Sequence, residues 1–514
     1  MPLSILRAKY LNLIPIFLGL IIRLVNIQIP IVGVHSWRQS DTAAMARHFA
    51  LENTPIWLPQ IDWGGAMKGY VESEFPIYPF IVGQFYKIFG LNEIFGRLIS
   101  ILFGLLTILL IIRITSILFN DRAGFWAGIF YALMPLSVYY SRTFQAESLL
   151  LFLASLSLER FLIYKRKSTF LSIFISWISF TLACLIKVLP FIWIGLPLFF
   201  ISNYKNKDFK NKSIEIFSRR IVKNLLSRGS LIYISFALFF LILWYLYSYK
   251  LGVAGGHSFG FWGKSSDRGS VELIFSIQVW LNLLLRMLLR NLSLFGLPLL
   301  IIAFYKNRDY FAINLLLSGL IGVFITTVLS MRSSSIHEYY QLPLQLYFCP
   351  LMGYGMYKIE SSYSSFYLKK YLGKIIIILI TLVSAIVLQY DYFLIENRQI
   401  KIWMPLANEI RKTVPIDGKI VSVTGNDPTL LNLSRRQGWL TTIDKIDETS
   451  LISWSENGAS YVVGSLNWID FYNRLDEENA KSKITKYLCR VKAPYSCPSS
   501  PNNIYMIPLD EFKK

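Results

Sequence analysis

Two stretches of this chain carry more chemistry than loops beside apolar segments usually do: HSWRQSDTAAMARHF at 35–49 and YVESEFPIYPF at 70–80. Asp41 and Glu74 are the acids that stand out. Asp41 follows Ser40 and precedes the helix-like run TAAMARHFALEN, so it fits an N-cap, with Ser36 and Gln39 fitting a capping box. A carboxylate at a helix start beside a membrane equally fits a general base that takes the proton of an attacking hydroxyl. Glu74, ahead of Phe75 and Pro76, reads either as a second catalytic acid or as a solvated loop acid, and Glu72 as a bystander.

Other groups suit a phosphate or a sugar. A phosphate leaving group needs cations rather than a general acid, and Arg38, Lys68, Arg142 and Lys187 are candidates. Arg142 and Glu147 flank the start of an apolar run, where an unpaired charge costs about 2.5–3.5 kcal/mol. A structural pair of Glu147 with Arg142 or Arg97 therefore competes with substrate binding by these three. Lys187, between apolar runs and just before Pro190, fits a phosphate contact or a snorkelling anchor. SSSIHEYYQLP at 333–343 gathers His337, Glu338, Tyr339 and Tyr340, which suits sugar or phosphate contact as well as an aromatic belt. Four histidines without a His-x-x-x-His or Cys/His cluster give no metal signature. No cofactor is expected, although Asp41 and Glu74 are of the type that holds Mg²⁺ or Mn²⁺.

Elements that could position these groups must lie in a bilayer. With 54% hydrophobic residues over 514 positions, the chain is too apolar for a soluble domain. Apolar runs long enough to cross ~30 Å of hydrocarbon are expected near 11–29, 95–118, 123–140, 144–163, 169–186, 188–202, 229–249, 291–305, 310–330, 340–357 and 374–394. The net charge of +21 does not point to nucleic acid, because the basic residues concentrate in alternate loops at 160–167, 205–228, 306–308 and 358–374. That pattern marks a cytoplasmic side. An odd number of spans then puts residues after about 395 outside, along with Asp41, Glu74, Arg97, Arg142, Glu147, Lys187 and His337. The first apolar run reads as a signal anchor, since it carries Arg23 and Asn26 and no small-x-small cleavage site follows.

The expected organisation is a membrane domain at 1–395 with a long first outside loop at 30–94, and an α/β domain at 396–514. In the tail, 419–425, 459–465 and 503–509 read as strands, 429–436 and 473–488 as helices. No Gly-x-Gly-x-x-Gly follows the first strand, so a dinucleotide site is not expected. Pro76 and Pro79 open an apolar stretch to Phe89 that is too short to span. It is expected to lie along the interface, with Tyr78, Phe80, Phe85 and Tyr86 as headgroup-level anchors. Cys184 and Cys349 read as buried apolar residues, and Cys489 and Cys497 either pair or stay free.

The order of these motifs resembles that of the GT-C membrane glycosyltransferases, in particular the family 39 group of protein O-mannosyltransferases and lipid A aminoarabinose transferases. The resemblance covers about residues 10–360. It rests on Asp41 after the first span, on Glu74-Phe75-Pro76 with Tyr78, on Arg97 entering the next span, and on Glu147 beyond an aromatic-Ser-Arg turn. The stretches around Asp41 and His337 look most like a bacterial branch. At Phe75 the chain departs from the aminoarabinose transferases, which carry a lysine near the phosphate.

The resemblance implies a mainly α, polytopic GT-C fold of about eleven transmembrane helices with a small extracytoplasmic α/β domain, in the plasma (inner) membrane. It implies a polyprenyl-phosphate-linked sugar donor, a lipid, glycan or protein acceptor of the envelope, Asp41 as base, and inversion with polyprenyl phosphate leaving. The competing readings are a lipid or lipid-linked-sugar flippase, which would use deep charges such as Arg23, Arg113, Arg286 and Arg290, and a non-catalytic membrane subunit.

Overall fold

A computed structural model describes residues 13–202, 228–259, 270–305, 310–361, 367–468, 477–489, 497 and 503–512. Most of the basic residues behind the expected orientation, at 203–227 and 306–309 and before residue 13, lie outside the described residues. The chain forms two compact units. One comprises Met1–Ile27, Arg97–Leu246 and Trp262–Asp391; the other comprises Gln28–Gly96, Tyr247–Phe261 and Tyr392–Lys514. The first outside loop is thus packed with the tail, where the sequence-based division grouped it with the membrane part.

The first unit is helical, and the expected apolar runs fall on helices, with 123–140 and 188–202 each divided into two and 340–357 opening in a 3₁₀ turn. Among the described residues, Ile94–Leu118, Ile232–Gly255, Tyr310–Leu329 and Tyr371–Thr413 are long and apolar enough to cross a bilayer. The last of these has 43 residues, about 65 Å at 1.5 Å per residue, or twice a hydrocarbon core. Its apolar half ends near Leu388, and the charged Leu394–Thr413 belongs to the other unit. Ile277–Asn291 and Gly296–Phe304 form a pair bent by 93°, with a π-helical turn at Met287–Asn291. The chain is a multi-pass membrane protein of mainly α fold.

Charge inside this bundle is matched locally. Arg23, fully buried, donates to Ser141 Oγ at 2.5 Å, to the carbonyls of Gly19, Ala132 and Tyr131, and to Ser137 Oγ. It ties Leu13–Leu24 to the helix pair Asp121–Leu133 and Pro135–Tyr140. The remaining deep cations also have partners: Arg113 pairs with Glu159 at 2.6 Å, Arg286 donates to the Ser335 carbonyl at 2.7 Å, and Arg290 pairs with Glu338 and Asp391. Basic residues of the alternate loops close helix C-termini, whose last carbonyls lack intrahelical donors. Arg166 reaches the Ile117 carbonyl, Lys165 that of Ser202, and Lys358 those of Ala303 and Tyr305.

In the second unit, strands β3 (Lys419–Ser422), β4 (Gly438–Leu440), β5 (Ala459–Ser465) and β6 (Ile504–Pro508) form a sheet of order β4-β3-β5-β6, parallel except for β5 with β6. The two-residue period of a strand sorts its apolar residues onto two faces. Val421, Val462, Tyr505 and Ile507 join one core with the helix Glu448–Glu456. Ile420, Val463, Ile504 and Met506 join another with Leu394–Thr413 and Thr429–Ser434. Both faces are covered, as the apolar strands require. Cys489 and Cys497 form a disulfide.

The first loop is stitched to this sheet. Gly65 N–H donates to the Gly438 carbonyl at 2.8 Å, and Gly438 N–H to the Asp62 carbonyl at 2.9 Å. Gly438 has φ 153° and lies against the Ile420 backbone, where any Cβ would collide. A second seam joins β1 (Val71–Glu72) in parallel to β2 (His257–Ser258).

The apolar stretch after Pro76 is the helix Ile77–Phe89. Its tyrosines are not headgroup anchors as expected: Tyr78 and Tyr86 are buried, and Tyr78 O–H donates to the Gly96 carbonyl at 2.8 Å. Phe80 packs edge-on against Phe49 at 5.4 Å. The outward face is Phe85, Ile88 and Phe89. A period of 3.6 puts residues 78, 82 and 86 on one side and 81, 85, 88 and 89 on the other, and the inner side is taken by Ser36–Leu51.

Candidate active site

The helix Ser36–Leu51 is polar or small-residued along most of its length, yet eleven of its sixteen residues are buried. Burying polar groups is unfavourable unless each finds a partner, so such a helix is held by specific contacts. Asp41 lies inside it, five residues beyond its start, and His35 occupies the N-cap position with no side-chain cap bond. The N-cap and capping-box reading of Asp41, Ser36 and Gln39 is therefore corrected: the helix begins earlier than the Ser-Asp pair suggests.

Asp41 is 5% exposed, and Trp63 Nε1–H donates to its Oδ1 at 2.9 Å. Burial pushes its carboxyl up to about 8; the Trp63 hydrogen bond and Arg38 favour the charged form, while Asp62 and Asp427 oppose it. The Trp63 ring is fixed edge-on against His257 at 5.1 Å and lies 6.4 Å from Phe259. The β1–β2 seam supplies both partners. Arg38 Nη2 donates to Glu74 Oε2 at 2.6 Å, so Arg38 is ion-paired with one predicted acid and within electrostatic reach of the other. Glu72 is a structural residue here, buried and accepting the Ser258 hydroxyl. Ser248 Oγ accepts from Ser73 N–H at 2.9 Å and donates to the Ser73 carbonyl at 2.8 Å, which pins the backbone leading into Glu74. Lys68 is exposed, near Glu52.

Nearly two turns further along the same helix is a network absent from the sequence-based candidates. Arg47 bridges Asp62 and Asn432, and His48 touches Glu52 through Nδ1 at 2.6 Å and Asp62 through Nε2 at 3.2 Å. Burial opposes charge on both His48 and Asp62, but each group's opposite partners outweigh it: the imidazole titrates above its usual range and the Asp62 carboxyl below. The only sequence signal was the 41, 48, 52 spacing on one helical face.

The other candidates belong to the helical unit. Arg97 and Arg142 are buried and both donate to the Asn26 carbonyl, at 3.0 and 3.1 Å, where the chain leaves its first helix with Asn26 at φ 57°. Glu147 accepts from Lys187 Nζ at 2.8 Å, a partner forty positions away and therefore invisible to local spacing. Lys187 is inward, not snorkelling: its Nζ lies 4.4 Å from the Tyr339 ring centroid and 5.3 Å from that of Tyr340. His337 stacks on Tyr339 at 5.3 Å. A small cavity is lined by Glu147, Lys187, Pro190, Trp193, Tyr339 and Tyr340. Beside it, Glu338 accepts the Tyr140 hydroxyl at 2.9 Å and the Arg290 guanidinium. The geometry offers a cation held by two π faces and a carboxylate.

Among the described residues no three or more His, Cys, Asp or Glu side chains gather as metal ligands would.

Residues 73–218 match the model of a family described as dolichyl-phosphate-mannose-protein mannosyltransferase. No curated protein sequence matches the chain significantly. Among solved structures, ArnT from Cupriavidus metallidurans in the apo state is similar at 13% identity and TM-score 0.64, with 99% of each chain covered. The same protein bound to undecaprenyl phosphate gives 12% and 0.63, with 98% of each chain covered. The archaeal oligosaccharyltransferase AglB from Archaeoglobus fulgidus, in complex with an inhibitory peptide and a dolichol-phosphate, gives 12% and 0.57, over 94% of this chain and 72% of that one. The chain has the fold of these GT-C membrane proteins, with a C-terminal α/β region.

Proposed function

We propose that this chain is an integral-membrane glycosyltransferase that moves a sugar from a polyprenyl-phosphate-linked donor to a lipid, glycan or protein acceptor, with inversion, on the extracytoplasmic face of the inner membrane. The observation that carries the reading is Asp41: a buried carboxyl, aimed by an indole N–H, whose proton affinity burial pushes up to about 8. A general base works best when its pKa lies near the operating pH. Placed so, Asp41 accepts the proton of the acceptor hydroxyl as its oxygen attacks the anomeric carbon, and the bond to polyprenyl phosphate breaks on the opposite face of the sugar. Glu74 and Arg38 position this region through their ion pair.

Negative charge develops on the leaving phosphate and must be met by fixed cations. Lys187 is the candidate the geometry favours, because its partner Glu147 is a carboxylate a phosphate can replace while Tyr339 and Tyr340 keep the ammonium in place. Arg97 and Arg142 serve backbone carbonyls and are assigned to holding the first helix. The family-model match, and the dolichol-phosphate and undecaprenyl phosphate bound in the similar structures, support a lipid-linked donor. No metal or other cofactor is invoked. Alternate basic loops support the outward orientation. The flippase reading loses its main motive, since Arg23, Arg113, Arg286 and Arg290 all serve protein partners.

The test is transfer of label from a radiolabelled polyprenyl-phosphate sugar by the purified protein in lipid, wild type beside Asp41→Asn, with an envelope extract as acceptor source. Product in the wild type alone, with donor binding equal in both, is the expected result. Equal turnover in the variant removes Asp41 as base.

A further inference from the structure

We infer that a cavity in the loop-and-tail unit binds the phosphate of a membrane-lipid headgroup. The cavity holds about 170 Å³ and is lined by Gln28, Asn92, Glu93, Met404, Arg411 and Arg435, with Ile29, Ile94 and Leu433 as apolar wall. None of the groups assigned above to sugar transfer lines it.

Its charge is unbalanced. Arg411 lies within electrostatic reach of three like charges, Arg435, Arg436 and Arg47, and of one opposite charge, Glu93. Two of those arginines are engaged elsewhere: Arg47 holds Asp62 and Asn432, and Arg436 donates to the Val414 and Ser434 carbonyls. Arg411 and Arg435 therefore face the cavity's carboxylate, Glu93, which also accepts from Asn432 Nδ2 at 3.2 Å. Two guanidinium groups against one carboxylate leave a net positive concavity, and phosphate is the anion that guanidinium geometry suits best.

Position selects a lipid as the source. Gln28 follows the first apolar helix, and Asn92 Oδ1 accepts the N–H of Ile94, the residue that opens the spanning helix Ile94–Leu118. Just before Asn92, the helix Ile77–Phe89 turns Phe85, Ile88 and Phe89 outward, and the rings of Phe85, Phe89 and Phe95 cluster at 5.5–6.5 Å. Exposed aromatics beside the ends of spanning segments mark headgroup depth. A volume below the roughly 300–1,000 Å³ of pockets that enclose drug-sized ligands suits a headgroup whose acyl chains stay in the bilayer.

Native mass spectrometry of the full chain in detergent, titrated with phosphatidylglycerol, phosphatidylcholine or inorganic phosphate, tests this. Phosphatidylglycerol should bind the wild type best, and Arg411→Gln with Arg435→Gln should weaken it about tenfold or more. Glu93→Gln removes the competing charge and should tighten binding, a gain that misfolding cannot mimic. Equal phosphatidylglycerol binding by wild type and the arginine variant overturns the site. Inorganic phosphate displacing the lipid at comparable concentration overturns the lipid assignment in favour of a free-anion site.

Discussion

In the helical unit the inward cations, buried or half-buried, end on oxygen supplied by the chain itself: Arg23 on three carbonyls and two hydroxyls, Arg97 and Arg142 on Asn26, Lys187 on Glu147, Arg290 on Glu338 and Asp391. In the loop-and-tail unit Asp41 is just as buried, but its hydrogen-bond donor is a neutral indole and its nearest charges include two further acids. Matched charge in a bilayer builds architecture. A carboxyl whose hydrogen-bond donor is neutral stores reactivity, since burial lifts its proton affinity into the range where it can exchange protons with substrate. Lys187 stands between the two cases, matched but by a partner that an anionic substrate can displace.

The largest effect should come from breaking the unmatched side. Asp41→Asn keeps the shape and the Trp63 hydrogen bond, and turnover should fall about 10²- to 10⁴-fold, with the thermal midpoint not lowered. On the matched side, Lys187→Ala should take the cation away from buried Glu147, costing about 3–5 kcal/mol of stability and weakening donor binding. Adding Glu147→Gln should restore the thermal midpoint but not the donor affinity, which isothermal titration separates; recovery of both would make Lys187 architectural.

A smaller effect concerns how Asp41 is tuned. The ionised form is the base, so the rate should rise with pH and level off above about 8. Trp63→Phe removes a hydrogen bond that favours the ionised form, moving that midpoint alkaline and lowering the rate at pH 7 by about tenfold; an unmoved profile would mean the indole only packs. Least of all should chemistry respond to Arg23→Gln. The unfolding temperature should drop as carbonyls and hydroxyls lose their donor, while turnover per folded molecule and its pH profile stay put.

Hydropathy made the helical unit legible, because hydrocarbon imposes one length and one composition on anything that crosses it. Strands 419–422, 459–465 and 504–508 were equally readable, being β-branched or apolar runs covered on both faces. β4 was not: three residues with a glycine and a tryptophan become a strand by pairing in parallel with β3, and Gly438 bonds to the first loop as well, long-range terms no local pattern contains. The same limit explains the site. Asp41 and Glu74 stood out by type, but Trp63, His257 and the Glu147–Lys187 pair are brought in by packing across tens to hundreds of positions. Tyr78 and Tyr86 misled because an aromatic near an interface looks the same whether its hydroxyl faces water or, as here, protein.

The bond from Arg47 to Asn432 joins positions 385 apart in the chain. During synthesis at about 5–20 residues per second, the segment carrying Asp41 waits some 20–80 s before its partner in the tail has been made. The long apolar helices Ile94–Leu118, Ile232–Gly255, Tyr310–Leu329 and Tyr371–Thr413 are all translated in that interval. The polar helix 36–51 can be locked in place only after the last of them, so a half-made chain would hold its acids in water, where Asp41 is an ordinary carboxylate, and reactivity arrives with the final quarter of the polypeptide.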